Sequence, residues 1–333
     1  GEAVPLVVDV DGTIVSGNLL VEGIARLIAT RPHNLLLLPF WLLNGRAALK
    51  RRVANRIPLD PSTLVFNPAV VEMTVAARDA GQPIYLASAA DDLYVAPLAE
   101  YLKVDGFLAS DGAENLAGRT KAEKLIARFG KHGFDYVGDE WRDLPVWKGA
   151  RHAIAVNASP ALARRIRSID DNAQFLPRVG GTPADYLKAL RPHQWMKNVL
   201  VFTPLIAAHI AEAQAFGLAF VAFLAFCACA SGSYLLNDVL DLPHDRQHET
   251  KRERPLASGR ISLGAAIGLG FILILSGLAI AAAVSASLLG AIAAYLIVTG
   301  AYSLYLKRKT FIDVVALASL YTIRVLAGAT AVS

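Results

Sequence analysis

The stretch from Asn237 to Gly259 concentrates acidic and basic side chains between two long apolar runs. Asp238, Asp241 and Asp245 fall at i, i+3 and i+7, a spacing that would place three carboxylates on one face of a helix. Basic side chains follow within two or three turns: Lys251, Arg252, Arg254 and Arg260. Carboxylates suit magnesium and basic groups suit phosphate oxygens, so the pattern fits a magnesium-bridged diphosphate. The same charges are also compatible with a solvated loop between two membrane helices.

This stretch resembles the first aspartate-rich motif of the UbiA superfamily of membrane prenyltransferases, which reads NDxxDxxxD followed by KxxRP. The matching residues are Asn237, Asp238, Asp241, Asp245, Lys251, Arg254 and Pro255. The resemblance implies that the three aspartates bind Mg²⁺. It also implies that Asn237, Lys251 and Arg254 contact the phosphates of the substrate.

A second set of candidate residues follows short apolar runs in the amino-terminal half. Val4–Asp11 reads VPLVVDVD and predicts a buried parallel strand that ends in two acids before a Gly-Thr turn. A strand predicted over Pro83–Ala87 ends at Ser88, and Lys121 opens a helical stretch. Another strand, predicted over Phe134–Val137, precedes Gly138-Asp139, with Asp143 four residues on. Side chains at the carboxyl ends of parallel strands line the site of an open α/β sheet.

The ordered set DxDGT, Ser, Lys and GDxxxD resembles the haloacid dehalogenase (HAD) superfamily of phosphohydrolases. The resemblance implies that Asp9 is a nucleophile forming an aspartyl-phosphate, while Asp11 protonates the leaving oxygen and later activates water. Ser88 and Lys121 would hold the phosphoryl oxygens. The candidate Mg²⁺ ligands are Asp9, Asp11, Asp139 and Asp143.

About seventy residues between the first strand and Gly81 are predicted to be helical. The HAD resemblance implies that they form a helical cap, over about residues 18–80. Within it Leu35–Leu43 reads LLLLPFWLL, is too short to span a bilayer, and is followed by Lys50, Arg51 and Arg52. Two interpretations stay open, the core of the cap or an interfacial helix with a basic flank on anionic lipid.

Composition separates the two halves of the chain. Of 333 residues, 54% are apolar and 18% charged, with a net charge of +5 that basic loops at a membrane face explain without a nucleic-acid partner. Long apolar runs dominate from about Asn198 onward. We predict an α/β Rossmann-like HAD domain over residues 1–174, a linker over 175–185, and an all-α transmembrane UbiA-type bundle over 186–333.

Hydropathy predicts five membrane spans in the second half. They cover about residues 198–211, 215–236, 261–284, 286–306 and 311–332. The first is short and contains Pro204. Members of the UbiA superfamily have about nine helices, so the resemblance implies a partial bundle and a chain that is part of a longer protein.

The distribution of positive charge predicts the orientation. Asp9 interrupts the first apolar run, so no signal peptide is expected and the amino-terminal domain is placed in the cytoplasm. The 237–260 loop and Lys307-Arg308-Lys309 then both fall on the cytoplasmic side, as the positive-inside rule requires. We predict a multi-pass protein of the cell inner membrane, in which Cys227 and Cys229 are buried apolar residues and not a disulfide.

Two ionisable residues lie in or near the last predicted span. Arg324 is deep within it and Asp313 is near its start. A charge at such depth is costly and normally faces a partner inside the bundle. We assign Arg324 to a substrate phosphate or to an acid of the motif. Lys307 is assigned to substrate binding, and helix anchoring stays open as an alternative for Lys307 and Asp313.

Three stretches of the second half resemble one branch of the UbiA superfamily, the decaprenyl-phosphate phosphoribosyltransferases. They read LRPHQWMKN, NDVLDLPHDRQHETKRERPLASG and AYSLYLKRKTFIDVVALASLYTIRVLAGA. The resemblance implies transfer of 5-phosphoribose from phosphoribosyl diphosphate to a polyprenyl phosphate in the lipid bilayer. Because both halves share one chain, we further predict that the HAD domain removes the product's 5-phosphate, and an unrelated cytoplasmic substrate stays open as the alternative. Two alternatives stay open: aromatic prenylation from a prenyl diphosphate lipid, and a non-catalytic bundle that anchors the phosphatase.

Overall fold

The computed structural model describes residues 3–177, 180–305 and 312–332. The chain divides into two compact units. The first comprises Gly1–Gly180 with Ser258–Leu263, and the second comprises Gly181–Ala257 with Gly264–Ser333. The main division agrees with the change in composition. The assignment of Ser258–Leu263 to the first unit was not predicted.

The first unit contains a six-stranded sheet in which every neighbouring pair is parallel. The strands are β1 Leu6–Val8, β2 Ile84–Asp91, β3 Gly106–Ser110, β4 Asp135–Gly138, β5 Ala153–Ala155 and β6 Gln174–Phe175. Their order is β3-β2-β1-β4-β5-β6. The chain moves to one side of β1 for β2 and β3 and then crosses to the other side for β4. Chemistry in such sheets gathers where this direction changes.

Helices cover both faces of the sheet. Val7 and Val8 are adjacent in β1 and therefore point to opposite faces, yet both are fully buried and each belongs to a different apolar core. The helices of this unit are α1 Leu19–Thr30, α2 Leu38–Leu43, α3 Arg46–Ala54, α4 Pro68–Asp79, α5 Asp92–Tyr101, α6 Arg119–Phe129, α7 Leu144–Trp147 and α8 Pro160–Arg167. This is the α/β HAD-like fold that the motifs predict.

The helical cap is shorter than predicted. Helices α1 to α3 surround a small core of their own, formed by Leu27, Trp41, Leu49 and Val53. Helix α4, by contrast, packs Val70 into the core beside the sheet. The cap therefore ends before Pro68 and not near residue 80.

The segment Leu35–Leu43 is not the core of the cap. It forms a 3-10 helix over Pro32–Leu37 followed by α2, and of its residues only Trp41 is buried. The other large apolar side chains are exposed or half-buried. Trp41 belongs to the cap core and Leu38 packs against it, so the interpretation as a cap core holds for these two residues and not for the exposed ones.

The predicted linker begins too early. Gln174 and Phe175 form β6, which pairs with β5, and Phe175 packs against a core of the sheet. The stacking of Arg167 on the Phe175 ring adds to this attachment. An edge strand of two residues has little periodic signal, which explains why the sequence did not reveal it.

The second unit is helical. Its helices are α9 Pro183–Leu190, α10 Thr203–Ala207, α11 Ala213–Leu240, α12 Leu242–Gln247, α13 Leu263–Val284, α14 Ala286–Leu304 and α15 Ile312–Val332. Within the described ranges, four helices are long and apolar enough to cross a membrane: Ala213–Leu240, Leu263–Val284, Ala286–Leu304 and the Val314–Ala331 part of α15. These correspond to the last four predicted spans.

The first predicted span, at 198–211, does not form a membrane-length helix. It is divided between a 3-10 helix over Pro192–Phe202 and the short α10. Pro204 lies at the start of α10, where its missing N–H has no partner to lose. A helix that begins there cannot be continuous with the residues before it in regular α geometry.

Small side chains allow the long helices to pack closely. Ala222, Ala225 and Ala281 are fully buried in the core of this unit. At Gly328 of α15 even a Cβ would collide with the carbonyl of Val201. Cys227 and Cys229 are buried and unbonded to each other, as predicted.

Candidate functional site

The three acids of the amino-terminal motifs meet at the carboxyl edge of the sheet. Asp9 follows β1, whereas Asp139 and Asp143 follow β4, the strand paired with β1. One carboxylate oxygen from each of the three lies within 4.8 Å of the others. Three converging oxygens are the donor set that Mg²⁺ prefers, so these residues fit a divalent cation.

Two glycines of the motifs make room for this cluster. Gly12 has a φ of 77°, and a Cβ there would collide with the carboxylate of Asp139. A Cβ at Gly138 would approach Asp143 Oδ2 to 2.7 Å. The glycine of DxDGT is therefore required sterically by Asp139, which follows the neighbouring strand, and the glycine of GDxxxD by Asp143, which follows the same strand.

Lys121 supplies the positive charge of the cluster. It is buried in the first turn of α6, and its Nζ donates to Asp9 Oδ1 at 2.9 Å and to Asp143 Oδ1 at 3.2 Å. Nζ also contacts the hydroxyl of Tyr136 at 3.0 Å, and that hydroxyl donates to Asp143 Oδ1 at 2.9 Å. Sequence reasoning missed Tyr136, because a tyrosine within an apolar strand carries no signal for a polar role.

The pKa values at this edge reflect charge concentrated away from water. Burial raises the pKa of Asp9 to about 7, although Lys121 acts in the opposite direction. Burial, followed by the charges of Asp9 and Asp143, raises the pKa of Asp139 to about 8. Burial lowers the pKa of Lys121, but the carboxylates of Asp9 and Asp143 outweigh it and hold that pKa above its usual range. Lys121 therefore stays a cation at neutral pH, whereas burial favours the neutral forms of Asp9 and Asp139, and a bound cation would favour their ionised forms.

Asp11 lies beside the cluster but is not part of the three-oxygen group. Its Oδ1 accepts the backbone N–H of Leu19, at the start of α1 in the cap, at 2.8 Å. Desolvation raises the pKa of Asp11 to about 6, against the effect of that hydrogen bond. This arrangement suits an acid that gives and takes a proton, and it does not bring Asp11 to the cation with the other three carboxylates.

Ser88 is fully buried within β2, and its Oγ accepts the N–H of Ala90 at 3.0 Å. The strand is irregular here, because the register of β2 on β3 shifts between Ala87 and Asp91. Ser88 therefore sits at the predicted edge but does not line the cavity beside Asp9.

That cavity has a volume of about 350 Å³ and lies between the sheet and the cap. Asp9, Asp11, Lys121 and Asp143 line its floor. The cap contributes a wall with apolar and basic side chains, namely Leu20, Leu42, Leu49, Arg46 and Lys50. Sequence reasoning missed Lys50 as a site residue. Its Nζ donates to the carbonyl of Ala89 and, at 2.6 Å, to Asn115 Oδ1, which fixes it at the cavity.

The membrane motif has a different geometry from the one predicted. The three aspartates do not share one continuous helix, because α11 ends at Leu240 and α12 begins at Leu242. Pro243 lies in the first turn of α12 and cannot donate to the preceding turn. Asp238 thus belongs to the last turn of α11, Asp241 is the residue at the break, and Asp245 belongs to α12.

Basic side chains hold the motif's acids together. Arg254 Nη1 lies 2.6 Å from Asp245 Oδ2 and 3.2 Å from Asp238 Oδ1. Asp238 also pairs with Arg191 at 2.5 Å, and Lys251 Nζ lies 3.8 Å from Asp245 Oδ1. The motif's own arginine therefore already pairs with two of its carboxylates. Over the described parts of the chain, these aspartates form no three-oxygen group like the amino-terminal one.

Arg191, within the stretch LRPHQWMKN, was not predicted from the sequence as a site residue. It ends α9 in the left-handed conformation, with φ of 54°. Trp195 Nε1 donates to Ser231 Oγ at 2.9 Å, and Ser231 donates to the carbonyl of Leu190 at 2.8 Å. These bonds attach the end of α9 to α11 and bring Arg191 to Asp238.

Arg324 is buried and faces the interior of the second unit. Its Nε donates to Asn198 Oδ1 at 2.8 Å, and its Nη1 donates to the carbonyl of Leu320 at 2.6 Å. The guanidinium lies 5.0 Å from the ring centre of Tyr295. No ion pair joins Arg324 to an acid within residues 3–177, 180–305 and 312–332. Of the two assignments predicted for it, an acid of the motif is therefore not the partner in this structure.

A cavity of about 210 Å³ collects several of these groups. Arg191, Lys197, Asn237 and Arg324 line it together with four tyrosines. Three cations and the amides of Asn237 and Gln194 around this cavity suit an anionic ligand. Lys307 lies outside the described residues, and nothing is described of the side chain of Asp313, so their predicted roles are not tested.

The fold and the two sites define a HAD-like domain joined to a membrane helix bundle. Residues 200–333 match the UbiA prenyltransferase family, and this part of the chain is a UbiA-family domain. An uncharacterized protein, y4nM of Sinorhizobium fredii (strain NBRC 101917 / NGR234), is 34% identical over 97% of this chain and 63% of its own length.

The second half has named relatives. The decaprenyl-phosphate phosphoribosyltransferase of Mycolicibacterium smegmatis is 37% identical over 44% of this chain and 47% of its own length. The chain thus spans between about half and 63% of these relatives. A solved structure of phosphoserine phosphatase in apo form is 20% identical and covers 52% of this chain and 100% of its own, with a TM-score of 0.37. The sheet order and the motif residues, not this likeness, define the HAD-like fold.

Proposed function

We propose that the second unit transfers 5-phosphoribose from phosphoribosyl diphosphate to a polyprenyl phosphate. The cavity lined by Arg191, Lys197 and Arg324 carries the proposal, because a departing diphosphate needs concentrated positive charge. The activity named for the mycobacterial relative supports this choice of donor and acceptor.

The transfer needs one bond to break and one to form. The bond between the ribose anomeric carbon and the diphosphate breaks, and the diphosphate leaves with the electron pair. A phosphate oxygen of the polyprenyl phosphate forms the new bond to that carbon. Arg324, oriented by Asn198, and Arg191, oriented by Asp238, would hold the phosphates. Mg²⁺ would supply further positive charge, held by Asp238, Asp241 and Asp245.

We propose that the first unit hydrolyses the 5-phosphate of this product. The Asp9 carboxylate would attack phosphorus, and the bond from phosphorus to the ribose oxygen would break while Asp11 gives that oxygen a proton. Water would then attack the aspartyl-phosphate as Asp11 takes its proton, releasing phosphate. Asp9, Asp139 and Asp143 would hold Mg²⁺, which supplies charge stabilisation to the phosphoryl group. Lys121 holds Asp9 and Asp143 in place.

The proposed location is the cell inner membrane, with the first unit in the cytoplasm. Cysteines introduced singly at Glu212 and at His248, in a background without Cys227 and Cys229, can be labelled from either face of sealed vesicles. We expect His248 to react from the cytoplasmic face and Glu212 from the other. Labelling of both from one face would contradict the orientation.

The function is tested with purified full-length protein in detergent and Mg²⁺. Labelled phosphoribosyl diphosphate with a polyprenyl phosphate should yield a labelled lipid. A prenyl diphosphate with an aromatic acceptor should yield no product. If the aromatic compound is prenylated instead, the proposed transfer is wrong. If neither lipid product forms while a phosphomonoester is hydrolysed, the bundle is an anchor.

A further inference from the structure

The cap exposes an apolar surface that its own core does not use. Leu36 is 74% exposed, Phe40 64% and Leu43 84%, whereas Trp41 between them is 6% exposed. Leu35 and Leu42 are also exposed. We call Leu35, Leu36, Phe40, Leu42 and Leu43 the apolar cap face. A soluble surface rarely carries so many adjacent large apolar side chains without a partner.

The segment of chain that carries this face has formal charges of one sign. Between Gly23 and Leu59 the chain contains no Asp or Glu but seven basic residues: Arg26, Arg31, Arg46, Lys50, Arg51, Arg52 and Arg56. Arg51 is engaged by Asp91 and Asp92. Arg31 and Arg46 are exposed and flank the apolar cap face in sequence. Exposed leucines bordered by arginines complement acyl chains below anionic headgroups.

The apolar cap face is continuous with the phosphatase cavity. Leu42 is 52% exposed and also lines that cavity, as do Arg46 and Leu49 from the next helix. An amphiphile could therefore keep its chain against leucines while its phosphate reaches Asp9. A cap that served only soluble phosphates would gain nothing from exposing leucines at the entrance.

A bilayer is always close to this domain. Within its described residues, the same chain carries four helices of membrane-spanning length. Tethering raises the effective concentration of a membrane surface to about the millimolar range, so a patch of modest intrinsic affinity suffices for docking. The connection is short, because β6 ends at Phe175 and α9 begins at Pro183.

We propose that the apolar cap face docks on an anionic lipid bilayer and presents the phosphatase cavity to phosphorylated lipids in that surface. The occupant is the lipid surface itself, since the basic border and the membrane helices of the same chain both favour it over a protein. Docking deepens the proposed phosphatase function by naming where its substrate enters. It can be measured without any activity.

The test places an environment-sensitive fluorophore on single cysteines in a background without Cys227 and Cys229. The full chain is reconstituted at one copy per nanodisc, with phospholipids that carry nitroxide in the headgroup region. Labels at Leu36 and Leu43 should be quenched several-fold more than a label at Val75, an exposed apolar residue of α4 outside the cap. Quenching should fall when anionic phospholipid is replaced by phosphatidylcholine.

Two results would overturn the proposal. One is quenching at Leu36 and Leu43 no greater than at Val75. The other is a blue-shifted emission without nitroxide quenching, which would mean that protein covers the face. Equal quenching in both lipid mixtures would overturn the role of the basic border.

A second measurement separates docking from catalysis. The double variant Leu36→Glu/Leu43→Glu changes exposed residues that do not line the cavity. It should lower hydrolysis of a long-chain lipid phosphomonoester in nanodiscs about tenfold, while hydrolysis of p-nitrophenyl phosphate stays within about twofold. Equal loss on both substrates would contradict docking. A chain that hydrolyses neither substrate while its labels are still quenched would refute the phosphatase proposal and leave docking standing.

Discussion

The two acidic clusters of this protein contain the same residue types, but their carboxylates pair differently with basic side chains. In the first unit, Lys121 bridges Asp9 and Asp143, and Asp139 stays within 4.8 Å of both. In the second, Arg254 bridges Asp238 and Asp245. One cluster keeps three carboxylate oxygens converging, whereas the other has two carboxylates closed around a guanidinium.

The difference follows from the elements that carry the acids. Strands β1 and β4 are paired in a sheet that is buried on both faces, so their carboxyl ends hold Asp9 and Asp139 in fixed register. The membrane motif lies at the junction of two helices interrupted near Pro243. At the helix junction, Asp238 and Asp245 can both contact Arg254. At the strand ends, the pairing of β1 with β4 fixes the distance between Asp9 and Asp139. Paired strands thus hold like charges close together, whereas the break between α11 and α12 places two carboxylates around one guanidinium.

The largest expected effect concerns the acidic cluster of the first unit. Asp9→Asn should lower phosphatase activity at least about 10³-fold, because an amide cannot act as the nucleophile. Transfer should be unchanged, so the 5-phosphorylated lipid should accumulate, as measured by thin-layer chromatography of labelled lipid. Asp79→Asn, at an exposed acid, is the control. Unaltered phosphatase activity in Asp9→Asn would remove it from the site.

The matching change in the membrane motif is Asp238→Asn. Transfer should fall about 10²- to 10³-fold, since the variant loses a metal-binding carboxylate and the partner that positions Arg191. Phosphatase activity on a soluble substrate should be retained. Glu249→Gln, at an exposed acid of the same loop, should transfer normally. Wild-type transfer rates in both Asp238→Asn and Asp241→Asn would refute the metal role.

Metal binding without substrate tests the contrast directly. The first cluster is open, so Mg²⁺ at about 100 times its dissociation constant should stabilise that unit by about 2.7 kcal/mol in calorimetry of the full chain. Asp139→Asn should abolish the effect and Asp238→Asn should not. The membrane motif, closed by Arg254, should bind Mg²⁺ only together with a diphosphate. If stabilisation by Mg²⁺ in the absence of diphosphate depended on Asp238, the membrane motif would be the open metal site, and the contrast between the two clusters would be wrong.

A smaller effect is expected from the buried cation of the second unit. Arg324→Leu should raise the KM for phosphoribosyl diphosphate about 10- to 100-fold, corresponding to the loss of a charge-assisted hydrogen bond. Arg324→Lys should recover part of this loss, because the positive charge is kept. Recovery should be incomplete, since lysine cannot make both guanidinium hydrogen bonds, to Asn198 and to the carbonyl of Leu320. Thr322→Val, at an exposed position of the same helix, is the control. An unchanged KM in Arg324→Leu would exclude contact with the donor.

The smallest effect should come from Tyr136→Phe. It removes a hydroxyl that contacts Lys121 and donates to Asp143, so kcat of the phosphatase should fall about 5- to 10-fold through looser positioning of both groups. The affinity for Mg²⁺, measured by titration, should fall as well. Tyr101→Phe, at an exposed tyrosine, should have neither effect. A change in stability alone would make Tyr136 a core residue.

Much of the fold was predictable because its signals are local. Buried parallel strands are short apolar runs, and the four long helices are apolar segments of membrane-spanning length. Both fold classes are confirmed. The strand ends differ from the prediction at β1, which is only Leu6–Val8, and at β2, which continues to Asp91. The signals failed for β6, for the end of the cap and for the segment 198–211, where pairing or packing with distant residues decides the structure.

The sequence by itself determined which residues carry charge and in what order, because motif spacing along a strand or helix is a local property. It identified Asp9, Lys121, Asp139 and Asp143 before any of them was seen together. Tertiary structure alone decided the partners: Tyr136 beside Lys121, Arg191 beside Asp238, and Asn198 beside Arg324. It also decided that the leucines of the apolar cap face are exposed. A hydrogen bond or an exposed face depends on distances between residues remote along the chain, and no local pattern encodes those distances.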